Sequence, residues 1–185
     1  MSNPLLALSP TEHALRSLLD RRTVLLGTPV DSGVANQVVT QLLHLEDEAP
    51  GEPIRLLINS PGGEVYGGLA IHDVLRDISS PVRTTCCGVA MSIAAVILAA
   101  GEQGGRTSFP NGRILIHQIS GGFQGGSTDV AIQVREALAL RELTEGILAR
   151  DTGQSRERLR ADQDRDRFFS PEEARAYGLI DRVLG

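Results

Sequence analysis

The sequence predicts an α/β fold built on a mostly parallel sheet. Short apolar runs that read as strands alternate with stretches of helical periodicity, and Gly, Pro and Asp punctuate the joins. Parallel neighbours need right-handed crossovers, which places chemistry at the carboxyl ends of the strands. With 185 residues, 41% apolar and 22% charged, the chain is long enough to bury a sizeable core and is read as one domain, 1–185.

Thr23 to Gly27 reads as a short first strand. From Asp31 to Glu46, Val34, Val38, Leu42 and Leu45 return to one face, which predicts a helix. Ile54 to Asn59 reads as a buried strand, stopped by Ser60-Pro-Gly-Gly63. A helix over Tyr66 to Asp77 and a strand over Val82 to Cys87 follow, then a small-residue helix from about Ser92 to Ala100, closed by Gly101. Arg113 to His117 is another strand, and Gly121 to Gly126 is glycine-rich. Thr128 to Arg150 then predicts a helix of about six turns, long enough to project or to face a partner. Ser170-Pro-Glu-Glu173 fits a capping box with Pro at the first helical position, and Gly178 ends that helix before a terminal strand, Leu179 to Val183.

Composition removes several function classes. The formal charge is −5 and there is no basic run, which argues against a nucleic-acid phosphate backbone as partner. The longest apolar-rich stretch, Gly88 to Ala100, is too short to span a membrane, and Met1-Ser-Asn-Pro-Leu-Leu lacks the basic region of a secretory signal. The expected location is therefore cytoplasmic. All 18 basic residues are Arg, so Walker A phosphate binding, Schiff-base chemistry and Ser/Lys dyads have no lysine to use. Cys86 and Cys87 are adjacent within a strand-like run, a spacing that suits core packing better than a disulfide or a zinc site. His13, His44, His72 and His117 are scattered, with no metal-ligand spacing, so neither a metal nor another cofactor is expected.

Three residues carry candidate chemistry, each with a plainer alternative. Ser92 sits just past a strand where a helix opens, beside free backbone N–H groups. It is placed either to attack a carbonyl or to cap its own helix. No Gly-x-Ser-x-Gly elbow surrounds it. His117 ends an apolar strand at the edge where sites assemble, or is a satisfied core histidine. Asp166 lies in the charge run Asp162-Gln-Asp-Arg-Asp-Arg167, whose ordinary meaning is a solvated surface.

The order Ser92, His117, Asp166 falls inside segments that resemble the proteolytic subunit of the Clp protease, the ClpP family. Those segments are Leu57-Ile-Asn-Ser-Pro-Gly-Gly63, Gly67-Gly-Leu-Ala-Ile71, Cys87-Gly-Val-Ala-Met-Ser92, Pro110-Asn111, Ile114-Leu-Ile-His-Gln118, Gly121-Gly-Phe-Gln-Gly125, Thr152-Gly-Gln154, Asp164-Arg-Asp166 and Tyr177-Gly-Leu-Ile-Asp181. The resemblance covers nearly the whole chain, from about Arg21 to Leu184. The resemblance implies a serine endopeptidase with a crotonase-like spiral of βαβ units and a projecting handle helix. It also implies two stacked seven-membered rings around a closed chamber, fed with unfolded proteins by an AAA+ unfoldase ATPase.

Carried over by position, the resemblance makes Ser92 the nucleophile, His117 the general base and Asp166 the residue that orients it. The amides of Gly63 and Ile93 match the oxyanion hole, and Gly63 independently suits a close approach of main chain to substrate. Residues 118–150 match the handle, whose glycine-rich edge is able to take a substrate strand by β-augmentation. Gln118, Asp164 and Arg165 match inter-ring contacts, and residues 1–22 match the axial segment without its usual charged and aromatic run.

Departures from the family are expected to matter. Met91 and Ile119 stand where family members usually have Ala and Pro. The family's apolar ATPase-docking pocket corresponds here to Arg55, Leu57, Asp77, Thr85 and Cys87, of which only Leu57 and Cys87 are apolar. Burying an unpaired guanidinium and carboxylate costs several kcal/mol per ion, against about 1.5–3 kcal/mol gained from one apolar anchor. Docking is therefore expected to be weak unless Arg55 and Asp77 pair with each other or point away. Two alternatives stay open beside the active peptidase: a partner-dependent or mainly structural subunit of a mixed ring with a paralogue, and a crotonase-fold acyl-CoA enzyme.

Overall fold

The structure, a computed structural model, describes residues 9–122 and 124–185. The first eight residues of the expected axial segment and Phe123 of the glycine-rich match lie outside the described residues. Helix α1, Pro10–Leu19, opens on a capping box in which the Ser9 hydroxyl and the Glu12 carboxylate exchange bonds with each other's amides. It leads into β1, Thr23–Leu26, and α2, Ser32–Glu48. Then come β2 (Ile54–Ser60), α3 (Val65–Asp77), β3 (Val82–Met91) and α4 (Ile93–Ala99).

The second half begins with β4, Thr107–Ser108, and β5, Arg113–Ile116. Helix α5 runs from Ser127 to Thr152, and α6 (Arg156–Asp162), β6 (Arg167–Phe169), α7 (Pro171–Tyr177) and β7 (Arg182–Val183) complete the order. Among the described residues no helix is long and apolar enough to cross a membrane.

Seven strands form a sheet that forks along β3. Strands β1, β2 and β3 pair in parallel, with Ile54 opposite Val82 and Ile58 opposite Cys86. Beyond that point β3 changes neighbours: Thr85 and Cys86 pair with β4, whereas Val89 to Met91 pair with β5. A register shift accompanies the change, and Gly88 sits at it with φ of 156°. A Cβ on Gly88 would lie 2.4 Å from Asn59 Oδ1, the atom that accepts the Val89 amide, so a side chain there would displace the bulge. The expected strand over Val82 to Cys87 is therefore extended by four residues, and the extension delivers Ser92 to its position.

Ile54 to Asn59, expected as a buried strand, is covered on one face only. Ile54, Leu56, Ile58 and Ser60 are buried while Arg55 and Asn59 are exposed and Leu57 is half-buried. Helices α2, α3 and α4 cover the inner face, with Val38, Leu42, Leu45, Ile71, Leu75, Ile97 and Leu98 packed into the core. Alternation with period two, not a continuous apolar run, is what a sheet with one open face requires.

The long helix is confirmed and is two residues longer at its C-terminus than expected. Its 26 residues correspond to about 39 Å. Its buried residues are confined to the C-terminal third, Thr144, Glu145, Ile147, Leu148 and Asp151, while Ile132, Leu138 and Leu143 are exposed on the projecting part. Glu145 anchors the buried end. Burial alone would raise its pKa, but bonds from Arg160 at 2.8 Å and Arg141 at 2.8 Å hold it below the ordinary value. The expected terminal strand, Leu179 to Val183, is confined to Arg182–Val183; Leu179 and Ile180 are instead buried in the core below α7.

Candidate active site

Ser92 follows β3 and precedes α4 with φ of 56° and ψ of −126°, one of two non-glycine residues among those described with positive φ. Such a conformation costs of order 1–3 kcal/mol and persists only where the surroundings hold it. Here the Ser92 amide donates to Leu115 O at 2.9 Å, and Gly62 fits against the turn. A Cβ on Gly62 would stand 2.6 Å from Met91 O and 2.8 Å from Ser92 Cβ. The consequence is that Ser92 makes no capping bond to its own helix. Its hydroxyl turns instead to His117 Nε2, 2.9 Å away.

Register brings the second and third groups together. Strand β6 runs antiparallel to β5 with Arg167 opposite Ile116, so the residues just outside that pair, Asp166 and His117, face one another. His117 Nδ1 and Asp166 Oδ1 are 3.1 Å apart. A carboxylate only accepts, so Nδ1 carries the hydrogen and, in the neutral ring, Nε2 is left as acceptor for the serine hydroxyl. The His117 side chain is 25% exposed and that of Asp166 is 64% exposed. The charge run is thus solvated and also reaches the histidine; the two readings of Asp166 are compatible.

Gly63 and Ile93 lie beside Ser92 and share its cleft. Their amides have no acceptor among the described residues. Gly63 has φ of 152° and packs so closely on β1's continuation that a Cβ would meet Val30 O at 2.1 Å. Bonds from Val30 N to Gly62 O and from Glu64 N to Val30 O, 2.8 and 2.7 Å, clamp the loop on either side. Gly68 allows α3 to approach α4, since a Cβ there would overlap the Ile93 side chain at 2.0 Å. The cleft itself is about 220 Å³, walled by Val65, Ile93, Val96, Ile116 and Leu148. A wider groove of about 1000 Å³ shares Val65, Ile119 and Ser120 with it and runs between residues 118–122 and α5.

Gln118 Nε2 donates to Asp164 O at 2.9 Å, and Gln118 Oε1 accepts from Arg141 at 3.2 Å. Arg165 projects, 92% exposed, with Asp164 3.8 Å away. Arg55, Leu57 and Thr85 share a shallow cavity of about 580 Å³ on the open face of the sheet, together with Arg83 and Arg182. Cys87 follows Thr85 on that face. Asp77 is elsewhere, at the end of α3 beside Arg76 and Arg150, and makes no ion pair with Arg55. Arg55 binds Thr23 Oγ1 at 2.8 Å instead. Among the described residues no cluster of His, Cys, Asp and Glu is arranged to hold a metal ion.

Two residues of the site escaped notice in the sequence. Gly62, which fits the serine turn, was visible only as one letter of a turn signal. Gln163 lines the cleft although it lies in the same charge run as Asp166. Its burial was the missing signal.

A hydroxyl bonded to an imidazole, an acceptor on the far side of that ring and two free amides beside the hydroxyl form the equipment of an acyl-transfer hydrolase. The chain belongs to the Clp protease family, whose match covers residues 10–185, and is by that membership a peptidase. It is 49% identical over 167 residues to the ATP-dependent Clp protease proteolytic subunit of Deinococcus radiodurans, an alignment covering 90% of this chain and 82% of the relative. This membership leaves the acyl-CoA alternative without support.

Proposed function

We propose that this chain is the proteolytic subunit of a Clp protease and hydrolyses peptide bonds of unfolded proteins with Ser92, His117 and Asp166 as its catalytic residues. The observation that carries the reading is the continuous bond path from Ser92 Oγ to His117 Nε2 and from Nδ1 to Asp166, 2.9 and 3.1 Å. Ser92 Oγ attacks the scissile carbonyl while His117 takes its proton. His117 then donates that proton to the leaving amine, giving an acyl-enzyme that water hydrolyses by the same exchange in reverse. Asp166 holds the tautomer and stabilises the imidazolium. The Gly63 and Ile93 amides receive the negative oxygen, a contribution of roughly 3–4 kcal/mol per donor in comparable sites.

The projecting part of α5 supports a closed double ring of seven subunits each. Ile132, Leu138 and Leu143 leave an apolar surface that a facing copy would cover, and Gln118, Asp164 and Arg165 lie at its base as inter-ring contacts. Cytoplasmic location and a single domain over 1–185 complete the reading. Docking of an AAA+ unfoldase on the homomeric ring is weak, because Arg55 and Arg182, beside the Arg83–Glu102 ion pair, occupy the cavity where an apolar anchor would enter. A paralogous partner ring would then carry the ATPase.

A fluorophosphonate probe tests the assignment. Stoichiometric labelling at Ser92 is expected, abolished by Ser92→Ala; labelling elsewhere, or none with or without a partner ring, contradicts it. Interferometry tests the docking statement, and sub-micromolar unfoldase binding to the homomeric ring refutes it.

A further inference from the structure

Gln163 caps the C-terminus of α6 and is fixed by its main chain on both sides. Its N–H donates to Leu159 O at 2.9 Å and its carbonyl accepts from Gln118 N at 2.7 Å. The side chain is not provided for in the same way. Gln163 is 4% exposed, and its Nε2 is the one buried side-chain nitrogen or oxygen among the described residues that lacks a hydrogen-bond partner. Folded proteins pair nearly all such groups, and an exception asks for an explanation.

The residue lines the cleft that also holds Ser92 and the Gly63 and Ile93 amides. The side chain that fills this cleft therefore belongs to the substrate residue whose carbonyl is attacked. The wall of the cleft is mixed, with Val65, Val96, Ile116 and Leu148 on its apolar side and Ser120, Thr144 and Gln163 among its polar groups. Thr144, the other buried polar side chain there, spends its hydroxyl hydrogen on the Leu140 and Arg141 carbonyls at 3.0 and 3.1 Å.

From these facts we infer that Gln163 is a specificity-determining residue that selects a carboxamide side chain, glutamine or asparagine, at the residue before the scissile bond. A leucine filling the cleft seals the amide in with nothing to bond. A glutamate brings an acceptor, but its charge enters a cleft that offers it no cation among the described residues except His117, which the reaction uses. A carboxamide offers a donor to Oε1 and, once the buried Nε2 turns into the cleft by rotation of the Gln163 amide, an acceptor to Nε2, without any charge. One bond or the other is thus available whichever way the Gln163 amide is turned.

The inference rests on the peptidase reading above, and the test separates the two. Peptides identical except for Gln, Leu or Glu at the cut residue are assayed on wild type and on Gln163→Leu. Wild type is expected to favour Gln over Leu by about tenfold in kcat/KM, and Gln163→Leu to reverse the order. Gln163→Met, close in size, repeats the comparison if the first variant does not fold, and the wild-type ranking decides by itself if neither does. Wild-type preference for Leu, or an equal loss on all three peptides, overturns the inference. A small fluorophosphonate carries no side chain into the cleft. Labelling of Ser92 without discrimination among the peptides refutes only the role of Gln163, whereas absence of labelling refutes both readings.

Discussion

Ser92 and Ser170 are the same residue at the same helical position, and they are put to opposite uses. Ser170 precedes α7 in extended backbone, φ −66° and ψ 165°, and its hydroxyl accepts from the Glu173 amide at 3.3 Å while Glu173 bonds back at 2.7 Å. Ser92 precedes α4 with φ of 56°, and its hydroxyl accepts nothing from its own helix. The difference is made by neighbours, not by the serine. Behind Ser170 lies an ordinary capping box; behind Ser92 lie the β3 extension, the Leu115 carbonyl and the close fit of Gly62. A helix start leaves four amides unsatisfied, and which of them a serine serves is set by the backbone angle at which the strand delivers it.

The comparison breaks hardest at the groups facing Ser92. His117→Ala is expected to lower kcat/KM on the order of 10⁵-fold, since the base and nucleophile act as a unit. Asp166→Asn is expected to cost about 10³-fold, less than for a buried orienting carboxylate, because Asp166 is 64% exposed and water screens it. Steady-state kinetics on a fluorogenic peptide reads both, and equal effects of the two variants would deny Asp166 its secondary place.

Gly62→Ala attacks the backbone angle without touching a catalytic group. Its new methyl, directed at Met91 O and Ser92 Cβ, is expected to shift the serine and lower kcat by about 10²-fold with secondary structure retained by circular dichroism. On the other side of the comparison, Ser170→Ala is expected to leave kcat unchanged and to lower unfolding stability by about 1 kcal/mol in urea.

The smallest effect is a pH dependence at a second pair of serines, Ser79 and Ser80. Glu46 receives the Ser79 hydroxyl and amide and the Ser80 amide, and these bonds pull its pKa from 4.5 to about 2. A carboxylate with a lowered folded pKa contributes stability that is present above its unfolded value and lost as pH falls. Glu46→Gln is therefore expected to be less stable than wild type at pH 7, with the gap closing between about pH 4.5 and pH 2. A gap that widens in acid would contradict the assignment.

Much of this was legible in the sequence. The periodicity of Val34, Val38, Leu42 and Leu45, the turn at Ser60-Pro-Gly-Gly63 and the capping box at Ser170 all appear where their residue types place them. The candidate triad is legible only through the family resemblance, because locally each member has a plainer meaning. What the sequence concealed was long-range. Arg167 to Phe169 is too short to announce itself as a strand, yet its antiparallel register is what sets Asp166 against His117. The strain at Ser92 has no signature either, since the turn lacks the flanking glycines of a nucleophile elbow and relies on Gly62, thirty residues earlier. Gln163 was hidden by its neighbours, being the buried residue in an otherwise solvated charge run.

The backbone at residue 92 aims a hydroxyl at His117 in place of capping a helix, and Ser92→Ala separates the two roles. Activity, urea unfolding and assembly mass are measured on the variant and on wild type. Because the hydroxyl makes no capping bond, its removal is expected to abolish peptide hydrolysis while leaving unfolding stability within about 0.5 kcal/mol and the assembly unchanged. Turnover within tenfold of wild type, or a loss of about 1 kcal/mol such as removal of a helix cap produces, would contradict the account.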